Sequence, residues 1–201
     1  MYVVVKLKRN CGFLSNTHSF LAMHRQPLIS LLLNHHPADE EERQMLEQTI
    51  QFVNHHPDCF ERSLLIGHVT GSAWIVSPDR QKVVLLHHYK LDRWLQPGGH
   101  ADGNPDILAV ALREAEEETG LQGIKPVSKK IFDVDVHTIP ARGTEPEHQH
   151  YDIRFLFEAD SHQPFIQSPE TNEVRWVDFD EIEKIVSEKS IIRMANKKKM
   201  I

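Results

Sequence analysis

Several features that mark other classes of protein are scarce in this chain. It has two cysteines in 201 residues, Cys11 and Cys59, which is too few for a disulfide framework and leads us to expect a reducing, cytoplasmic location. No apolar run approaches the length of a membrane span, so we expect no membrane partner. Acidic residues outnumber basic ones and give a net charge of −6. The chain therefore lacks the basic face that binding to long nucleic acid requires.

The N-terminal part of the sequence divides into two segments. Residues 1–22 place a short apolar run before their charges, the reverse of a signal peptide, and we expect them to be peripheral. Residues 23–62 contain two helical patterns, each ended by Asn-His-His-Pro, and the second opens with a capping box from Asp39 to Glu42. This segment predicts a helical hairpin extension, and residues 63–201 are predicted to form the main domain.

From Gly67 onward the pattern changes to alternating residues rich in β-branched side chains, which is typical of strands. Strands are predicted at 68–76, 82–88, 93–96, 130–138, 150–158 and 173–177. A single C-terminal helix is expected to open at Asp180, and Lys197 is expected in a solvated tail. Mixed strands with one central and one terminal helix predict an α+β or three-layer fold.

A glycine loop that leads into an acidic helix organises the rest of the chain. The loop contains Gly98 and Gly99, and Asn104 is a good N-cap for the helix that follows. Pro105 suits the first helical position, and Gly120 favours a left-handed ending. The sequence therefore predicts a helix from Pro105 to Thr119, with its apolar face toward a core.

Three carboxylates of this helix share one border of its apolar face. Glu114, Glu117 and Glu118 are spaced by three and four residues, so their side chains cluster. Such carboxylates repel one another unless a cation lies among them, and oxygen ligands suit Mg²⁺, with Mn²⁺ as the alternative. An ordinary solvated acidic face with Arg113 as a surface charge is the other interpretation, and it is the preferred one for Glu116.

The same stretch, from Gly99 to Leu121, resembles the Nudix box. The residues that carry the likeness are Gly99, Arg113, Glu114, Glu117, Glu118, Gly120 and Leu121. Two positions depart from the pattern, because Pro105 stands in place of its first glutamate and the small Ala115 fills an aliphatic position. The resemblance implies a Nudix-type α/β/α sandwich around a mixed β-sheet over about residues 65–190, with the helical hairpin outside it.

The resemblance also implies a chemistry. It implies that Glu114, Glu117, Glu118 and a main-chain carbonyl of Gly98 or Gly99 bind the metal, and that Arg113 orients Glu114. The predicted function is Mg²⁺-dependent hydrolysis of a diphosphate bond in a nucleoside diphosphate linked to another moiety, with water attacking phosphorus. A nucleotide-binding module that has lost catalysis is the alternative, and Pro105 keeps it open.

The group that accepts the proton of the attacking water stays open on sequence grounds. The candidates are Glu114, Glu145, Glu147, His148 and His150, because members of this family use either a box glutamate or a residue from a later loop. His88 and His100 flank the glycine loop and are predicted to bind substrate, while Trp94 is predicted to stack on a base or, alternatively, to pack in the core. The partners that this interpretation allows are a small diphosphate substrate and a second copy of the chain in a homodimer.

Overall fold

The structure, a computed structural model, describes residues 24–89, 92–166 and 171–197. The peripheral segment predicted for residues 1–22 lies outside the described residues. Within these three ranges, no helix is both long enough and apolar enough to cross a membrane.

The predicted helical hairpin is present at the start of the described chain. Its helices are α1 (Gln26–Leu33) and α2 (Glu40–His55). As expected, Asp39 caps α2, and its carboxylate accepts the N–H of Glu42 at 2.7 Å. Arg25 ties the two helices together by donating to the Val53 carbonyl at 2.5 Å. Leu32 and Val53 are fully buried in the same apolar cluster as the sheet residues, so the hairpin shares the main core.

Seven strands form one mixed sheet in the described part of the chain. Their bounds are β1 (Gly67–Val76), β2 (Lys82–His88), β3 (Arg93–Leu95), β4 (Gly98–His100), β5 (Lys125–Ile139), β6 (His148–Glu158) and β7 (Thr171–Asp178). The main path runs β3-β2-β1-β6-β5, with β4 paired to β1 and β7 paired to β2. β1 and β6 are parallel, with His68 opposite His150, and the other strand pairs are antiparallel.

The acidic helix, α3 (Ile107–Thr119), begins later than the predicted start at Pro105. Asp106 is its N-cap, because its carboxylate accepts a main-chain N–H from the first turn at 3.1 Å. Asn104, the predicted cap, instead accepts the N–H of Asp106 at 3.0 Å and forms a turn before the helix. A charged carboxylate is favoured at the positive end of a helix, which explains why Asp106 takes this role. Gly120 ends the helix with φ 70, as predicted.

The side chains of β1 alternate between two apolar layers. Ala73 and Ile75 lie in the layer that contains α3 and the hairpin. Trp74 and Val76 lie in a second layer, together with residues of the C-terminal helices. The sheet therefore separates two helical layers, which confirms the predicted α/β/α sandwich.

The C-terminal region is not the single helix predicted from Asp180. It consists of a 3-10 turn (Phe179–Glu181), helix α4 (Ile182–Ile185) and helix α5 (Lys189–Asn196). The chain leaves α4 at Val186, where the backbone is extended with φ −122 and ψ 134. Ile182 and Ile191 are both fully buried, so the break allows both helices to pack on the sheet.

The polar face of β6 is buried rather than solvated. Asp152 and Arg154 are only 2% and 3% exposed. Arg154 donates to Asp152 at 2.7 Å, to Asp133 at 3.2 Å and to Asp135 at 3.0 Å. These partners replace the hydrogen bonds of water, which is the condition for burying such groups.

Lys197 is also buried, which contradicts the predicted solvated tail. Its ammonium group donates to Glu42 at 2.8 Å, to Asp133 at 2.6 Å and to the Phe132 carbonyl at 2.8 Å. Arg193 of α5 donates to both carboxylate oxygens of Asp133 at 2.9 Å. We call these buried charged residues the charge network: Glu42, Asp133, Asp135, Asp152, Arg154, Arg193 and Lys197. It joins the hairpin, the sheet and α5.

Candidate active site

The glycines of β4 lie against the acidic helix and β1. A Cβ atom on Gly99 would lie 2.4 Å from Cδ of Glu114, and one on Gly98 would lie 2.1 Å from Oγ of Ser72. No side chain larger than hydrogen fits at either position without a shift. The close approach brings the main chain of β4 beside the Glu114 carboxylate.

Hydrogen bonds fix the other box residues around this contact. Glu118 accepts the main-chain N–H of Gly98 at 2.9 Å. Arg113 forms ion pairs with Glu114 at 2.8 Å and with Glu117 at 3.3 Å. It also donates to the main-chain carbonyl of His100 at 3.1 Å. The structure therefore brings the predicted metal-binding residues and Arg113 together, with Arg113 between two of the carboxylates.

The carboxylate cluster contains one group whose pKa is shifted by burial and one group that is accessible from solvent. Burial raises the pKa of the Glu114 carboxyl above its usual value, Arg113 opposes this shift and Glu117 adds to it. Arg113 forms ion pairs with Glu114 and Glu117, and the guanidinium of Arg62 also interacts electrostatically with Glu114. The Glu117 side chain is 59% exposed, so the cluster is open to solvent and to ions on that side.

The two aspartates near Pro105 have other roles. Asp102 forms a double hydrogen bond with Arg62, with both distances at 2.5 Å. Asp106 caps α3, as described above. Both side chains near Pro105 are therefore held by hydrogen bonds, Asp102 by Arg62 and Asp106 by the first turn of α3.

A group of histidines lies at the end of the sheet next to β4. The ring centroid of His68, on β1, lies 4.9, 5.0 and 4.8 Å from the ring centroids of His100, His148 and His150. His150 also lies 5.5 Å from the ring of His137. Because His100 directly follows Gly99, this histidine cluster borders the glutamates. His100 and His150 were predicted to act in substrate binding and catalysis, and the structure places both of them in this cluster.

Burial lowers the pKa of three histidines of this cluster, His68, His100 and His150. Burial, together with the neighbouring imidazoles of His100 and His148, lowers the pKa of His68 to about 4. Burial and the surrounding histidines likewise lower the pKa of His150 to about 2. A main-chain contact with Leu64 raises the pKa of His68 in part. That contact lacks full hydrogen-bond geometry, since neither ring nitrogen of His68 has a hydrogen-bond partner among the described residues.

Sequence reasoning did not identify His68 as a site residue. It occupies an ordinary strand position, and its proximity to His150 depends on the parallel pairing of β1 with β6. The spacing of His148 and His150 places their side chains on one face of β6, which is the only part of the cluster that sequence periodicity indicates.

The remaining predicted residues lie elsewhere. Glu147 is exposed in the segment that precedes β6, while its neighbour Glu145 approaches His148 at 3.9 Å. His88 lies at the end of β2, in register with Arg93 of β3. Trp94 on β3 has its ring 5.1 Å from that of His87 and 4.4 Å from the guanidinium carbon of Arg175. These contacts indicate that the partly buried Trp94 side chain packs against its neighbours.

Comparison with known proteins gives consistent matches. The family model described as NUDIX domain matches residues 68–195. A probable DHNTP pyrophosphohydrolase of Lactococcus lactis subsp. cremoris (strain MG1363) is 33% identical over 97 residues, which are 47% of this chain and 56% of that protein. The chain thus matches little more than half the length of this curated relative.

Two solved structures share the fold. The C. elegans Ap4A hydrolase in a binary complex has a TM-score of 0.53 at 18% identity, and the match covers 66% of this chain and 95% of that one. The E. coli dihydroneopterin triphosphate pyrophosphohydrolase has a TM-score of 0.53 at 13% identity, covering 66% of this chain and 96% of that one. At these identities the likeness concerns the fold and not the substrate.

Proposed function

Because the chain belongs to the NUDIX domain family, we propose that it hydrolyses a diphosphate bond with the help of divalent metal ions. The substrate class that we propose is a nucleoside diphosphate linked to another moiety, or a related nucleotide-like polyphosphate. The observation that carries this proposal is the set of box carboxylates gathered around the main chain of β4, two of which form ion pairs with Arg113.

The donor set fits a hard divalent cation. Glu114, Glu117 and Glu118 provide carboxylate oxygens, and Gly98 and Gly99 provide main-chain carbonyls, the ligand types that Mg²⁺ and Mn²⁺ prefer. A divalent ion supplies positive charge that stabilises the charge developing on the phosphoryl oxygens. The pairing of Arg113 with Glu114 supports the role of Arg113 in orienting that carboxylate.

We propose Glu114 as the group that accepts the proton of the attacking water. Its carboxylate lies against Gly99 of β4 and forms an ion pair with Arg113, which also pairs with the exposed Glu117. His150, the other main candidate, is enclosed by neighbouring imidazoles. The catalytic role of Glu147 remains a prediction, since that residue lies on the exposed segment before β6.

The proposal is tested with a panel of polyphosphates. The purified chain is incubated with ADP-ribose, a dinucleoside polyphosphate, NADH, nucleotide sugars, dNTPs and dihydroneopterin triphosphate, with Mg²⁺ or with a chelator. We include the last compound because the L. lactis relative is named for it. We expect at least one of these compounds to be hydrolysed with Mg²⁺ and none with the chelator. Tight binding of a nucleotide without turnover would favour the binding module instead, and Pro105 is the feature that supports this second candidate.

A further inference from the structure

The histidine cluster has the properties of a second metal centre. We propose that His68, His148 and His150 form a binding site for one divalent transition-metal ion of the class that imidazole prefers, such as Zn²⁺. This site is separate from the glutamates that are proposed to hold Mg²⁺, and it does not depend on the proposed hydrolysis.

The spacing of the ring nitrogens supports the site. One nitrogen from each of His68, His148 and His150 can be chosen so that all three lie within 4.8 Å of one another. The Nε2 atoms of His148 and His150 are 3.3 Å apart. Two nitrogens that bind one tetrahedral zinc ion at about 2.0 to 2.1 Å lie roughly 3.3 Å apart, so this pair already has the required separation. The third donor, a ring nitrogen of His68, lies within 4.8 Å of the other two.

The hydrogen bond on the far side of His148 favours the same interpretation. Its Nδ1 lies 2.9 Å from the carbonyl oxygen of Pro146. Because a carbonyl only accepts, Nδ1 carries the proton and Nε2 presents its lone pair toward His150. Metal-binding histidines are commonly oriented in this way, with the nitrogen that does not bind the metal donating to a carbonyl or carboxylate.

His68 provides an independent observation. The residue is 2% exposed, and neither of its ring nitrogens has a hydrogen-bond partner among the described residues. A buried polar group without a partner is unfavourable in a folded protein and requires an explanation. A metal ion that binds one of these nitrogens gives one, because coordination uses the lone pair that no protein donor reaches.

The strands hold the three residues in place before any ion binds. His68 and His150 are opposite each other on the parallel strands β1 and β6, and His148 lies two residues before His150 on the same face of β6. Ligands placed on strands keep their geometry better than ligands on loops. The site therefore requires little reorganisation of the backbone.

The donor chemistry separates this site from the glutamate cluster. Three neutral imidazoles suit Zn²⁺, Co²⁺, Ni²⁺ or Cu²⁺, whereas Mg²⁺ prefers oxygen ligands. Three protein ligands also leave one tetrahedral position open for another ligand. The ring of His100 lies 4.9 Å from that of His68 and 5.0 Å from that of His150, so a fourth imidazole is close to the three proposed ligands.

The competing explanation is a purely structural cluster. In that case Nε2 of His150 donates a hydrogen bond to Nε2 of His148, and a water molecule satisfies His68. This arrangement accounts for the 3.3 Å contact but predicts no metal affinity. The two explanations differ in what happens when a transition metal is added.

The test is a Co²⁺ titration of the full chain after treatment with a chelator, followed by visible absorption. We expect about one equivalent of Co²⁺ to bind with the strong absorption of a tetrahedral site, and Zn²⁺ to displace it. His68→Phe and His148→Gln each remove a proposed ligand and should weaken Co²⁺ binding strongly. We expect a loss larger than the roughly 10- to 100-fold that follows removal of a residue that only hydrogen-bonds to a metal ligand. Absence of the strong absorption in the wild-type chain would overturn the proposal, and so would unchanged affinity in both variants.

Two controls place the ion at the histidines. His162→Gln changes a histidine whose side chain is 92% exposed and should leave the absorption unchanged. Glu117→Gln alters the glutamate cluster and should leave it unchanged as well. A signal lost in Glu117→Gln but kept in His68→Phe would assign the ion to the carboxylates and contradict the proposal.

A second measurement needs no variant. X-ray absorption at the zinc edge of the wild-type chain, loaded with one equivalent of Zn²⁺, should show three imidazole nitrogens at about 2.0 to 2.1 Å. A first shell dominated by carboxylate oxygens would overturn the assignment. This readout holds even if the His148→Gln chain fails to fold.

Discussion

One face of β6 carries residues of two polar clusters that differ in how far their hydrogen bonds are satisfied. His148 and His150 belong to the histidine cluster, and Asp152 and Arg154, the next residues on that face, belong to the charge network. In the charge network, Arg154 reaches three carboxylates and Lys197 reaches two carboxylates and a carbonyl. In the histidine cluster, both ring nitrogens of His68 lack a hydrogen-bond partner in the described part of the chain.

The difference separates a structural cluster from one that is suited to a ligand. Buried charges are tolerated only when they are paired and hydrogen-bonded. The charge network meets that condition through residues of α2, β5, β6 and α5, together with Lys197, which follows α5. In the histidine cluster the ring nitrogens of His68 have no hydrogen-bond partner among the described residues, so an added cation gains a bond there that no protein group supplies. We therefore expect substitutions to affect stability in the first cluster and metal binding in the second.

The largest effect is expected from Arg154→Met. The change leaves the carboxylates of Asp133, Asp135 and Asp152 with fewer cationic partners in a buried site, and we expect it to lower the free energy of unfolding by about 3 to 5 kcal/mol. Urea denaturation measures the change. Lys184→Met, which removes an exposed cation, is the control and should alter stability by less than about 0.5 kcal/mol. Equal effects of the two changes would show that the network is not essential to the fold.

A smaller, pH-dependent effect is expected from Glu42→Gln. Burial alone would raise the pKa of Glu42, but its hydrogen bonds with His35, the Ala38 N–H and Lys197 lower it from 4.5 to about 2. Between these values the unfolded chain takes up a proton that the folded chain does not, so this stabilisation is present above pH 4.5 and is lost as the pH falls toward 2.

The measurement for Glu42 is the difference in unfolding free energy between the wild-type chain and Glu42→Gln as a function of pH. We expect this difference to be about 2 kcal/mol near pH 7 and to shrink below pH 4.5. The value is smaller than the full pKa shift of Glu42 would give at about 1.36 kcal/mol for each pKa unit. A difference that stays constant from pH 7 to pH 2 would contradict the assignment of this carboxylate to the charge network.

The smallest effect on stability is expected from His68→Phe in metal-free protein. Phenylalanine keeps an aromatic ring of similar size and removes a polar group that has no hydrogen-bond partner to lose. We expect the unfolding free energy to change by less than about 1 kcal/mol in either direction. A loss as large as that of Arg154→Met would mean that His68 makes a structural polar interaction, and the contrast between the two clusters would fail.

The sequence was sufficient for features that depend on local patterns. The acidic helix up to Gly120, the cap at Asp39 and the alternation along β1 are set by neighbouring residues, and the structure has all of them. Gly98 and Gly99, which the sequence predicts to lie in a loop, instead form part of strand β4, because they pair with β1. The helix start was displaced because the Asn104-Pro105-Asp106 sequence offers two capping side chains, and their choice depends on the loop before them.

What the sequence could not predict depends on pairing between distant segments. The polar face of β6 is typical of an exposed strand until β5 and α5 bring Asp133 and Arg193 to it. Lys197 has the features of a solvated tail until it meets Glu42, which lies 155 residues earlier. His68 becomes a site residue only through the parallel register with His150, and a single sequence does not specify that register.

The most direct test of the proposed function is the pair of variants Glu117→Gln and Glu116→Gln, measured by kcat/KM with Mg²⁺ on the best substrate of the panel. The two glutamates are adjacent on α3 and both are exposed, but only Glu117 pairs with Arg113 beside Glu114. We expect Glu117→Gln to lower kcat/KM by about 100-fold or more, as removal of a group that supports transition-state charge does, and Glu116→Gln to leave it unchanged. Equal activity of the two variants would contradict the assignment of the carboxylate cluster as the catalytic metal site.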